Sequence, residues 1–156
     1  MKKLLGILVL GLLWCNISFA DYCTDEDIRY SLRFEYIDNE KIPEDVYQNA
    51  KKKLEDTYKF GLGIQKAVED KDMEKLLSYV RGGLLGGQEL SFFKNKSFDE
   101  IFTEEFRSKI LSEKVNCLPL GDKGWMLGNG KIWYRNFDFL TIIRFNYLSF
   151  EEKRAA

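Results

Sequence analysis

The sequence predicts an α+β fold, with helices in the N-terminal half packed on an antiparallel sheet formed mainly by the C-terminal half. Apolar residues recur at helical spacing as far as Leu111. From Val115 onward the spacing becomes two, which is typical of half-buried strands. Asn129-Gly130 between two apolar runs indicates a hairpin, because both central residues of such a turn need positive φ. The chain shows no internal repeat or linker, so we predict one domain.

Residues 1–20 have the features of a secretory signal peptide. A Lys-Lys pair after the first methionine is followed by an apolar run over residues 4–13. Ser18 and Ala20 place small residues at the −3 and −1 positions that a leader peptidase accepts. The alternative is an uncleaved membrane anchor, but the run is shorter than the roughly 20 residues needed to span a bilayer. We therefore predict cleavage after Ala20.

Cys15 raises the question of lipid attachment. The residue before it is Trp14, where a lipoprotein signal needs a small side chain, so lipidation is disfavoured. A short Lys-Lys leader is typical of bacteria. The predicted localisation is periplasmic or secreted.

The segment 21–156 has the size of one domain, with room for a sizeable core. Two of the 24 basic residues and none of the 25 acidic ones precede it, so its formal charge is −3. This balance argues against a nucleic acid or an anionic lipid surface as partner. We expect no membrane association after removal of the leader.

The chain contains no histidine. This excludes Ser-His-Asp and Cys-His catalysis and most zinc, copper and haem sites. No segment has the spacing of a calcium-binding loop. We predict no metal and no cofactor.

Cys23 and Cys117 are the two cysteines that follow the predicted leader. In an oxidising compartment they most simply form a disulfide, which would close a loop of roughly 95 residues and stabilise by on the order of 4–5 kcal/mol. The alternative is two free thiols. Neither cysteine belongs to a C-x-x-C motif, and no histidine is present to lower a thiol pKa.

We predict that the first elements are helices, except for one segment whose secondary structure the sequence does not decide. Residues 28–37 alternate like a strand, yet Thr24 and Asp27 are equally compatible with the cap of a short helix. Pro43 fits the first turn of a long helix. The apolar stripe of this helix comprises Val46, Tyr47, Ala50, Leu54, Thr57, Tyr58, Phe60, Ile64, Ala67 and Val68.

A second, short helix follows, capped by Asp70 or Asp72. Residues 81–88 contain four glycines but lack the Gly-Lys-Ser/Thr ending of a P-loop, so we interpret them as a flexible loop. Residues 89–93 are a candidate strand. A capping box over residues 97–100 begins the next helical turn.

Thr103 restarts a helix whose first turn is acidic. Residues 125–127 and 131–135 form the two strands of the predicted hairpin, and residues 136–138 make another turn. The final strand covers residues 139–146 and ends in a polar tail. Strict alternation places Phe139, Thr141, Ile143 and Phe145 on one face and Leu140, Ile142, Arg144 and Asn146 on the other.

Three stretches resemble small, largely uncharacterised exported bacterial proteins with an NTF2-like (cystatin-like) fold. They are residues 64–72, residues 98–103, and residues 124–134 with the closing strand 141–146. The resemblance covers about residues 60–147 and implies helices packed on a strongly bent sheet, forming a cone able to hold a ligand. It leaves residues 21–59 as an added N-terminal extension. NTF2-like enzymes often use a His/Asp pair in the cone, and this chain has no histidine for that role.

The function that we predict is a non-catalytic binding or interaction domain, with an envelope protein or a small molecule as partner. Aromatic and charged side chains near the hairpin are the candidate contacts. Trp133 and Tyr134 are adjacent in a strand, so only one of them faces inward. The candidate binding residues are Trp125, Trp133, Tyr134, Arg135, Asp138 and Arg144.

Two other functions stay open. A carboxylate-based hydrolase or isomerase would use Asp138 with Arg144, or Glu105 with Tyr134, although no spacing selects either pair. An inhibitor or immunity-type protein acting on a cell-wall enzyme fits the size, the export and the disulfide. We assign no catalytic residue.

Overall fold

A computed structural model describes residues 22–33, 35–36, 41–136 and 138–146. The predicted signal peptide and the predicted polar tail lie outside these residues. Within them the chain is α+β, as predicted. The helices are α1 (Asp25–Leu32), α2 (Glu44–Glu69), α3 (Met73–Ser78), α4 (Leu90–Lys94), α5 (Phe98–Ile101) and α6 (Glu104–Ser112), and after a 3₁₀ turn (Gly121–Lys123) come the strands β1 (Trp125–Leu127), β2 (Ile132–Asn136) and β3 (Leu140–Phe145).

In the open segment 28–37, residues 28–32 are helical and belong to α1 (Asp25–Leu32), while residues 34 and 37 lie outside the described residues. The Thr24 hydroxyl accepts a hydrogen bond from the Asp27 amide, and the Asp27 carboxylate accepts one from the Thr24 amide at 2.8 Å. This reciprocal pair satisfies two donors at the start of a helix. Ile28 and Leu32 are buried, four residues apart, so one face of α1 packs inward.

Helix α2 is the longest described element and begins directly after Pro43. It crosses residue 59, where the resemblance placed the end of the N-terminal extension. Gly61 permits close packing, because a Cβ there would lie 2.6 Å from the Tyr134 hydroxyl oxygen. Helix α2 therefore contributes residues of both the N-terminal extension and the portion 60–147 to one core.

The short helices begin at the predicted cap residues, but the strand predicted over residues 89–93 is absent. Asp72 caps α3 by accepting from the Lys75 amide, and the boxes at Ser97 and the cap at Thr103 are present. Residues 89–93, however, are not a strand, since most of them lie in α4. The Gln88 side chain bonds both the N–H and the C=O of Phe145, and so occupies the backbone groups that an added strand would need.

The sheet has the order β1-β2-β3 and is antiparallel throughout. The predicted hairpin joins β1 to β2, and Asn129 and Gly130 both have positive φ. The sequence predicts a period of two from Val115 onward, but the first strand begins only at Trp125.

A bulge in β3 corrects the predicted faces of this strand. Tyr134 pairs with Ile142 and Trp133 pairs with Arg144, so Ile143 is an extra residue without a partner of its own. Ile142 and Phe145 are consequently both fully buried on one face, although strict alternation had placed them on opposite faces. A register shift of this kind depends on pairing between strands and leaves no trace in the period of one strand.

The outer edge of β3 is covered by the glycine-rich loop. The Leu85 amide donates to the Ile143 carbonyl at 2.7 Å, and the Ile142 amide donates to the Tyr79 carbonyl at 2.9 Å. The Arg81 amide donates to the Thr141 hydroxyl. The loop that we predicted as flexible is thus held at several points, and it blunts an edge that would otherwise be open to pairing.

The core lies between α2, the sheet and the short helices. Phe93, Phe102, Phe106 and Phe145 are almost wholly buried and in mutual ring contact, with the Phe102 and Phe106 centroids 4.4 Å apart. Phe98, Phe102 and Phe106 are therefore core residues, as their helical spacing predicted, whereas Phe92 of α4 is exposed. Of the helices in the described ranges, none combines the length and apolar character needed to cross a membrane.

Candidate functional site

A concave cavity of about 580 Å³ opens beside Trp125, and we call it the Trp125 pocket. One wall is the end of α1 with residues 30–33. A second is the face of α2 between Val46 and Leu54. The third is the segment 118–122 together with the Trp125 indole. The pocket therefore lies between elements that are far apart in sequence.

The Cys23–Cys117 disulfide joins two of these walls. Cys23 stands just before α1, and Cys117 just before the segment 118–122; the two residues are 94 positions apart in the chain. The predicted bond is thus confirmed, and the free-thiol alternative is wrong. Because a disulfide fixes the separation of its two backbones, it holds these walls at a set distance.

The Trp125 ring is held in a single orientation. Its indole N–H donates a hydrogen bond of 2.9 Å to the Cys117 carbonyl, the residue that forms the disulfide. The ring also stacks on Tyr134, with centroids 6.1 Å apart and planes 19° apart. Only 7% of Trp125 is exposed, so one part of its surface forms the pocket wall while the rest packs in the core.

The lining of the Trp125 pocket is mainly apolar, with few charged groups. Leu32, Ala50, Leu54 and Pro119 supply apolar surface beside Trp125. The charged lining residues are Arg33, Glu35, Lys53 and Asp122. The Arg33 guanidinium carbon lies 3.7 Å from the centre of the Tyr30 ring, a cation–π contact.

A smaller cavity of about 190 Å³ adjoins the first, and we call it the side cavity. Both cavities are lined by Lys53, Pro119, Gly121 and Trp125, so they share a wall. The side cavity adds Gly124, Arg135 and Asn136.

Hydrogen bonds connect β2 to α2 at the side cavity. The Asn136 amide nitrogen donates to the buried Thr57 hydroxyl at 2.7 Å and to the Lys53 carbonyl at 3.4 Å. Thr57 in turn donates to the Lys53 carbonyl at 2.7 Å. Gly124 has φ +90°, and a Cβ there would lie 2.5 Å from the Tyr134 carbonyl oxygen. Glycine is therefore required for this wall to approach β2 so closely.

The six residues predicted as binding contacts do not meet at one place. Trp125 and Arg135 line the cavities. Trp133 of β2 and Arg144 of β3 are cross-strand partners on the face of the sheet that points away from the core. Tyr134 is fully buried, and Asp138 is exposed in the turn before β3.

The residues that complete the pocket were missed, because α1 and the first half of α2 had been set aside as an extension. Leu32, Lys53, Leu54 and Pro119 carry no motif of their own. The cysteine pair did contain a usable signal, since a disulfide necessarily brings the residues around Cys23 to those around Cys117.

Neither candidate acid–base pair is assembled. Asp138 and Arg144 form no ion pair with each other in the described part of the chain. Glu105 instead accepts from the Lys109 ammonium at 2.6 Å, and this hydrogen bond lowers the pKa of Glu105.

The Tyr134 hydroxyl is buried and has no hydrogen-bond partner among the described residues. Burial raises its pKa far above the ordinary range, and the negative charge of Glu113 adds to the effect. A phenol in this state stays protonated at neutral pH.

The described residues contain no group of three or more Cys, Asp or Glu side chains placed to hold a metal ion. Comparisons with protein-family models, with curated proteins and with solved structures find no match for this chain.

Proposed function

We propose that this chain is an exported, non-catalytic binding protein of the bacterial envelope, and that the Trp125 pocket receives a small, mainly apolar molecule. The observation that carries the proposal is the pocket itself. Its volume of about 580 Å³ falls within the roughly 300–1,000 Å³ of small-molecule sites, and its lining combines an apolar surface with a few polar groups.

Two features support export. The N-terminal sequence has the charge, apolar run and small residues of a signal peptide. The Cys23–Cys117 disulfide is compatible with an oxidising compartment. Intact-mass measurement of the protein from a periplasmic extract should give a chain beginning at Asp21, and reduction should increase its mass by two hydrogens.

The NTF2-like assignment belongs to this proposal and rests on the motifs within residues 60–147. In such a fold the ligand is expected inside the cone. The Trp125 pocket instead lies between α1, the first half of α2 and the segment 118–122. We therefore propose a binding mode that uses the N-terminal extension as one wall.

Binding can be tested with N-phenyl-1-naphthylamine, a neutral apolar fluorophore that brightens when it leaves water. The mature protein should enhance its emission in a saturable titration. Ala50→Trp places a large ring in the pocket and should abolish this enhancement, because Ala50 is a half-buried lining residue.

Leu62→Trp is the matched control, since Leu62 lies on the same helix but is 38% exposed and lines neither cavity. It should leave the titration unchanged. Equal enhancement by the wild type and by Ala50→Trp would show that the fluorophore binds elsewhere and would remove the support for the pocket.

A further inference from the structure

We infer that the ligand of the Trp125 pocket is an amphipathic anion, whose carboxylate lies in the side cavity between Lys53 and Arg135 while its apolar body lies against Trp125. This inference rests on the proposed binding function and specifies its ligand class. It follows from the way charge is distributed between the two joined cavities.

Among the described residues that line the side cavity, two are cations and none is a carboxylate. Lys53 and Arg135 contribute the charges, and its remaining lining residues are neutral. Lys53 makes no ion pair with any residue in the described ranges. A cation pair in a shared recess is complementary to an anion, and the planar guanidinium of arginine can donate two parallel hydrogen bonds to a carboxylate.

The Trp125 pocket contains charged residues of both signs. There Arg33 and Lys53 are offset by Glu35 and Asp122. A carboxylate placed in this pocket would face two like charges, whereas one in the side cavity faces none from the lining residues. The ligand therefore has a defined direction, with its anionic end toward β2 and its apolar end toward Leu32 and Leu54.

The side cavity is also held in shape. The two donor hydrogens of the Asn136 amide are directed to Thr57 and to the Lys53 carbonyl, which fixes the backbone of Lys53 relative to β2. Arg135 is anchored along its side chain, since its Nε lies 3.5 Å from the Lys123 carbonyl oxygen and its Cγ packs on Gly124. Asn136 is thus a positioning residue, and Lys53 and Arg135 are the expected ligand contacts.

The test uses the mature protein and displacement of N-phenyl-1-naphthylamine by three probes with the same apolar chain: sodium dodecanoate, dodecanol and dodecyltrimethylammonium. Dodecanoate should bind about tenfold or more tightly than dodecanol, as expected when a charge-assisted contact is added. The cationic probe should bind most weakly.

Lys53→Gln and Arg135→Gln should each weaken dodecanoate by about fivefold to twentyfold and leave dodecanol within about twofold. Lys52→Gln is the matched control, because Lys52 is an exposed neighbour on α2 that lines neither cavity. Lys53 is itself exposed, so its replacement should not disturb folding, and thermal melting of each variant checks this.

The outcomes separate the two proposals. If dodecanoate and dodecanol bind equally and the Lys53 and Arg135 variants change neither, the anion assignment is overturned while the apolar pocket stands. If no probe displaces the fluorophore and the fluorophore itself does not bind, the proposed function fails, and the inference fails with it.

Discussion

Replacing both Cys23 and Cys117 by serine should destabilise the protein and loosen the Trp125 pocket at the same time. The cysteines are 94 positions apart, so the bond closes a loop of about 95 residues in the unfolded chain. Loop-closure entropy at this length is worth about 4–5 kcal/mol near room temperature. For a domain of this size the loss should lower Tm by roughly 10–20 °C.

Binding should fall as well, because the disulfide ties the start of α1 to the segment that carries Leu118 and Pro119. The assay is thermal and urea unfolding of the double variant, together with fluorophore titration at a temperature where it remains folded. Single replacement of Cys23 serves as the control for effects of a free thiol, and it should match the double variant.

A double variant that melts within a few degrees of the oxidised wild type would refute the entropic argument. One that is much less stable but binds the fluorophore equally well would refute the role of the disulfide in holding the pocket walls.

Three further predictions concern packing and caps. Gly61→Ala should cost about 1–3 kcal/mol in urea unfolding, since the new methyl group would lie 2.6 Å from both the Tyr134 hydroxyl oxygen and Val115 Cγ1. Tyr134→Phe should restore part of that loss in the double variant, because it removes one of the two atoms that the new methyl group meets, a buried hydroxyl that has no partner among the described residues; full additivity of the two changes would contradict the contact. Thr24→Ala removes the α1 cap and should cost about 1 kcal/mol, measured by the same unfolding, while Thr24→Ser should be nearly neutral. Hydrogen bonds from the Ser97 amide and hydroxyl hold the pKa of Glu100 below the roughly 4.3 of an ordinary glutamate side chain. This group therefore contributes stability above that pH and loses it as the pH falls through the lowered pKa, so Glu100→Gln should flatten the acid limb of a pH–stability curve.

The features that sequence reasoning predicted well are local ones. The capping box at Ser97 and the hairpin turn at Asn129 each depend on residues within about four positions of each other. The box at Thr24 is equally local, but the sequence left it open against a strand over residues 28–37. The disulfide joins residues that are distant in the chain, and it was predictable nevertheless, because the chain after the predicted leader contains only one pair of cysteines.

The mistaken predictions concern segments whose structure depends on distant partners. Residues 89–93 form a short, partly apolar segment that suits a strand or a helix. The structure places Leu90–Lys94 in α4, and the Gln88 side chain occupies backbone groups of Phe145 at the edge of β3. The faces of β3 follow from the inserted Ile143, which appears only when β3 pairs with β2. In both cases the deciding contact is formed with a segment remote in the chain.

The sequence by itself determined the chemistry that is available to this protein. It contains no histidine, and it has one cysteine pair after the predicted leader. Its helix caps and hairpin turn depend on residues that are close together in the chain. The tertiary structure alone decided where binding groups meet. Lys53 and Arg135 are separated by a long stretch of chain, and so are Leu32 and Trp125, yet they line two joined cavities. Such encounters arise from the packing of α1 and α2 against the sheet and the disulfide-linked segment, and no periodicity within one element encodes them.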